Sequence, residues 1–101
     1  MTIRYNLKKD IEYSNGSIVS KEIYKNKSTV TLFAFDKGQS LSSHKAPFDA
    51  GVLILDGKGE FIVGDEKITA LTGDFFIMPA NVMHAVNAVE KFKMMLTMLA
   101  V

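Results

Sequence analysis

The feature that most constrains this chain is the rhythm of its apolar runs, which are short, rich in β-branched and aromatic residues, and closed by turn formers. Ile18–Tyr24 and Thr29–Phe35 are separated by residues 25–28 (KNKS), and Ala50–Leu55 ends in Asp56-Gly57. Glu60–Val63 ends in Gly64-Asp65, and Lys67–Ala70, Asp74–Met78, His84–Val89 and Lys93–Leu99 follow. A glycine beside an aspartate supplies the positive φ of a tight reversal, so these junctions read as hairpin connections. The serine-rich stretch before His44 reads as a turn, and Lys91-Phe92-Lys93 as a solvated one. No segment repeats its apolar residues at helical spacing. The expectation is one all-β domain over residues 1–101, a sandwich or barrel rather than a parallel α/β sheet.

Two kinds of strand are distinguishable. Ile68-Thr69-Ala70 alternates, which leaves one face wet. Residues 51–55 (GVLIL), 75–78 (FFIM) and 94–99 (MMLTML) are apolar on both faces. A small barrel buries only its inner face, so the outward side chains need another cover, and a homodimer is the simplest. Residues 1–16 fit the pattern least and read as an extension that either pairs as a further strand or swaps onto a neighbour.

Charge and composition exclude several classes. Twelve Lys and Arg stand against 11 Asp and Glu, with no cluster strong enough to grip a phosphate backbone, so no nucleic-acid partner is expected. The N-terminal stretch MTIRYNLKKD has no apolar core of a secretory signal, and the last apolar run is too short to span a bilayer, so no membrane partner is expected. With no cysteine there is no disulfide, thiolate nucleophile or cysteine-bound zinc, and a cytoplasmic location is the expectation.

The chain has two histidines, His44 and His84. Around the first, Gly38 and His44 bracket residues 39–43 and Gly57 closes the stretch; around the second, Gly73, Pro79 and His84 follow in order. These two segments resemble the motifs of the cupin superfamily, G-x5-H-x-H-x3,4-E-x6-G and G-x5-P-x-G-x2-H-x3-N. The resemblance implies an antiparallel double-stranded β-helix, the jelly-roll barrel of RmlC-like cupins. It also implies a metal site made of two histidines and the glutamate of the first motif with the histidine of the second.

This chain departs from that ligand set. Ala46 stands at the second histidine position, Ala50 at the glutamate position and Ala88 at the asparagine position, while Asn81 replaces a glycine. His44 and His84 remain as metal ligands, with Asp49 as a substitute carboxylate if a bulge or Pro47 reverses strand parity. A divalent iron, manganese, nickel or zinc ion is the cofactor such a site would take. Alanine removes polarity and leaves space, so a second reading is a ligand chamber. Strand alternation puts His84, Val86 and Ala88 on one face, and Ala50 and Val52 on another. If both line the barrel, the site is a small apolar pocket with two imidazoles near one end. The preferred expectation is a barrel binding a small, partly apolar molecule through His44, Ala46, Ala50, Val52, His84, Val86 and Ala88. The alternatives are a metal-dependent isomerase or dioxygenase and a non-catalytic interaction module.

Overall fold

The computed structural model describes residues 1–100. Its strands are β1 (Ile18–Lys25), β2 (Thr29–Phe35), β3 (Ser40–His44), β4 (Asp49–Val63), β5 (Glu66–Leu71), β6 (Phe75–Met78), β7 (His84–Asn87) and β8 (Phe92–Leu99). Every pairing is antiparallel. One layer runs β1-β2-β8-β4-β6, the other β3-β7-β4-β5, and the two share β4. A single core cluster joins Phe35, Val52, Ile54 and Met94 of the first layer to Phe61, Ala70 and Val86 of the second. Among the described residues no helix is long and apolar enough to cross a membrane.

Two expectations about the β3 and β4 segments are corrected. Asp56-Gly57 does not reverse the chain, and Ala50–Leu55 and Glu60–Val63 are halves of one strand, β4. Its first half pairs with β8 and β6, its second with β5 and β7. The register against β8 slips between Ile54 and Asp56, and Gly57 takes φ 82°. There the glycine serves a bulge that carries β4 from one layer into the other. A Cβ at Gly57 would strike the Lys91 carbonyl oxygen and lie 2.8 Å from Phe92 Cα. The second correction is Ser40–His44, which forms strand β3 against β7 rather than a turn. Its side chains are exposed apart from the half-buried Leu41, so it lacks the apolar alternation by which a strand is recognised.

Residues 1–16 contribute no strand. They cross the outside of the first layer, where Ile11 packs with Leu32 and Ala34. Tyr13 Oη donates to Asp56 Oδ2 at 2.7 Å, and the Lys91 and Lys93 ammonium groups lie 4.8 and 5.0 Å from the Tyr13 ring centre. Burial, the Asp56 hydrogen bond and the Asp56 charge together push the Tyr13 phenol well above its ordinary value. Among the described residues the far half of the same outer surface has no such cover, and Phe75, Ile77 and Leu99 are 61, 46 and 44 % exposed there.

Inside, the two ends of the barrel differ. Lys91-Phe92-Lys93 is not a solvated turn, because Phe92 is fully buried and begins β8. Its ring stacks on Phe35 at 4.6 Å and meets Phe61 edge-on at 5.8 Å. Gly59 leaves room for this ring, since a Cβ there would sit 3.0 Å from it. Each such phenyl group contributes roughly 1.5–3 kcal/mol on burial, so this end is the anchor of the fold. At the other end of β4, Ala50 pairs with the flexible Met78 and Met98, and the segments that adjoin the histidines converge.

Candidate functional site

His44 ends β3 and His84 begins β7, opposite one another in the β3–β7 pairing. The ladder slips between Leu41 and His44, which lets both rings turn to the same point. Two hydrogen bonds tie the loop before His84 to the segment after His44, as Asn81 N donates to Ala46 O and Ala80 N donates to the Asp49 side chain at Oδ1, each at 2.8 Å. Asn81 adopts φ 63°, the left-handed conformation that glycine favours and asparagine tolerates, so its replacement of the motif glycine keeps the turn.

The two rings meet edge to face with centres 4.3 Å apart, and Nε2 of His84 lies 3.1 Å from Nε2 of His44. His44 Nδ1 lies 2.9 Å from Ser42 O, and His84 Nδ1 lies 3.3 Å from Val82 O. A carbonyl only accepts, so each Nδ1 is best protonated; the Nε2 contact needs a proton as well. Three contacts therefore compete for the two protons of a neutral pair. The two shorter contacts take them: His44 Nδ1–H donates to Ser42 O and His84 Nε2–H donates to His44 Nε2, a tautomer assignment that follows from the partners. The longest contact, at Val82, is left unmade. His84 is 8 % exposed, and burial first, then the neighbouring His44, holds its pKa below the ordinary histidine value against the opposing pull of Val82 O.

The other expected site residues separate into groups. Ala46 is half-buried in the loop after His44, and Ala50 is buried beside Met78 and Met98. Val52, Val86 and Ala88 do face the interior, but they sit in the packed core cluster with Phe61 and Phe92. Ala88 exchanges backbone hydrogen bonds with Gly38 and Gln39, beyond the end of β7 opposite His84. Asp49 is not brought to the histidines: it is exposed, whereas Ala50 beside it is buried, so strand parity is not reversed. The carbonyls of Ser42 and Val82, which aim the rings, are backbone groups without a sequence signal. Asn81 had one, its place at a glycine position.

The donor set bears on the metal that cupins commonly bind. Both rings have the backbone contact at Nδ1 that normally orients a ligating histidine. Catalytic zinc keeps three protein ligands, and non-haem iron commonly takes two histidines with a carboxylate. Among the described residues no group of three His, Cys, Asp or Glu is arranged to hold a metal ion. The residues present do not fit a resident catalytic metal, being one protein ligand short.

With this geometry established, comparison with known proteins places the chain. Residues 31–100 match the family model of the cupin domain, and the protein belongs to the cupin family. A conserved protein of unknown function from Streptococcus pyogenes superposes with a TM-score of 0.91 at 29 % identity, covering 100 % of this chain and 90 % of that one. A cupin 2 conserved barrel domain protein from Leptotrichia buccalis is 42 % identical with a TM-score of 0.89. That match covers 94 % of this chain but 47 % of the Leptotrichia chain, so the present sequence spans about half of that protein. A cupin superfamily protein from Desulfitobacterium hafniense gives a TM-score of 0.92 at 26 % identity over 100 % of this chain and 94 % of that one. No curated protein matches the chain. The fold is the RmlC-like double-stranded β-helix.

Proposed function

We propose that this cupin binds a small, partly apolar molecule at its histidine end, through a hydrogen-bond donor on the ligand. The observation that carries the reading is the convergence of two Nε2 atoms at 3.1 Å while both Nδ1 atoms face backbone carbonyls. A ligand ammonium or amide NH2 that donates one hydrogen to each Nε2 replaces their direct contact and lets both Nδ1–H groups donate to their carbonyls. Ala46 and Ala50 provide small walls there, and Met78 and Met98 adjust around an apolar body. Val52 and Val86 close the site from within the packed core, whereas Ala88, beyond the far end of β7, takes no part in it. A reading as a metal-dependent isomerase or dioxygenase requires a further ligand from outside the chain described. The absence of cysteine accords with a cytoplasmic setting.

A metabolite library screened by thermal shift tests the proposal, with wild type compared to a His44→Phe/His84→Phe variant. Compounds bearing a donor group should stabilise wild type and leave the variant unmoved. Equal stabilisation of both proteins would refute the site.

The uncovered outer surface supports a second copy of the chain as partner. Gly51, Leu53, Phe75, Ile77, Thr97 and Leu99 make a patch without charged side chains across β4, β6 and β8, with Asp49, opposite Leu99, at its edge. Two such patches are complementary to each other by symmetry. A dimer mass in solution that falls to monomer in Phe75→Glu is the expected result, and a monomeric wild type would end this part of the reading.

A further inference from the structure

A concavity lies on the exterior of the β3-β7-β4-β5 layer, a groove of about 230 Å³ lined by Ser40, Glu60, Ile62, Ala85 and Asn87 together with Leu41 and Val86. Its polar side chains form one row. Ser40 of β3 lies opposite Asn87 of β7, Asn87 opposite Glu60 of β4, and Glu60 opposite Thr69 of β5. Neighbouring strands are about 4.8 Å apart, so hydroxyl, amide, carboxylate and hydroxyl follow at that interval. The next row along the strands is different in kind, with the small Ala85 opposite Ile62, which is 44 % exposed. Ala85 makes the hollow and Ile62 an apolar wall beside it.

Charge narrows what the groove accepts. Glu60 is the charged member of the groove lining, and its Oε2 pairs with Lys67 Nζ at 3.4 Å, so these two charges offset each other. An anion would meet the Glu60 carboxylate, and a cation would have to displace Lys67. A neutral molecule with several hydroxyl groups has neither problem: it donates to Glu60 Oε1 and exchanges hydrogen bonds with Asn87 and Ser40. An aliphatic ring face suits Ile62. The volume falls below the roughly 300–1,000 Å³ of drug-sized pockets, which limits the occupant to a single small ring.

We propose that this exterior groove is a second binding site, independent of the histidines, for a neutral ring polyol such as a monosaccharide or cyclitol, held by Ser40, Asn87 and Glu60 with its carbon face on Ile62. The test is a ¹H–¹⁵N correlation titration with myo-inositol and with methyl β-D-glucoside, using glycerol as a control without a ring. Saturable shifts confined to the signals of Ser40, Glu60, Ala85 and Asn87 are expected with either ring compound, at millimolar affinity, and none with glycerol. Ala85→Leu fills the hollow, and Asn87→Ala removes the central polar group. Both positions face outward, and each variant should weaken binding about tenfold or more while the remaining spectrum is kept. Shifts that fail to saturate, that centre on His44 and His84, or that survive in both variants would overturn the proposal.

Discussion

The two ends of the barrel are built from opposite materials. At one, Phe35, Phe61 and Phe92 are fully buried, the first two each packed on the third, with Gly57 admitting the Lys91–Phe92 backbone and Gly59 the Phe92 ring. At the other, alanine pairs with two methionines, and a pair of imidazoles shares too few protons for its contacts. The first arrangement gains stability from close packing. The second leaves a hydrogen bond unmade that a ligand can complete. Stability and binding are thus assigned to separate ends, and changes at either end should affect one without the other.

The largest effect is expected at the aromatic end. Phe92→Ala should cost about 3–5 kcal/mol in chemical denaturation, because the rings and β-bulge around it cannot collapse onto the cavity. A loss below about 1 kcal/mol, the scale of a surface change, would break the comparison. Gly57→Ala comes next. A left-handed conformation alone costs roughly 1–2 kcal/mol, and the clash with the Lys91 carbonyl adds to it. An unshifted denaturation midpoint would show that β4 does not bend as described.

A smaller effect is expected in the pH dependence of stability. The folded state holds the His84 pKa below its ordinary 6.5, while the unfolded chain binds that proton near 6.5. The unfolded state then binds more protons as pH drops, so stability is full above about 6.5 and declines down to the lowered folded value. Denaturation across that window should show the decline in wild type and a flatter profile in His84→Phe. Smallest of all, His44→Ala should change stability by no more than about 0.5 kcal/mol, since its side chain is exposed, yet abolish ligand stabilisation.

How far this contrast could be read from the sequence depended on the kind of signal. The short apolar runs, the absence of helical period and the register of Gly38, His44, Gly57, Gly73, Pro79 and His84 led to the barrel and to the meeting of the histidines. The ladder that sets that meeting was missed at β3, because Ser40–His44 carries polar side chains on an edge strand. Asp56-Gly57 misled for a related reason: the same positive φ serves a hairpin turn and a bulge, and only pairing with β8 decides between them. Phe92 lies between two lysines, and its burial follows from the glycines of β4, far off in sequence. The carbonyls of Ser42 and Val82 have no side-chain signature at all.

The most direct measurement is native mass spectrometry of protein purified without chelator or histidine tag, beside the His44→Phe/His84→Phe variant. The account predicts a small organic adduct on wild type that the variant lacks, with no near-stoichiometric divalent metal on either. Near-stoichiometric iron, manganese, nickel or zinc on wild type, lost from the variant, would contradict it and make the histidine end a metal centre.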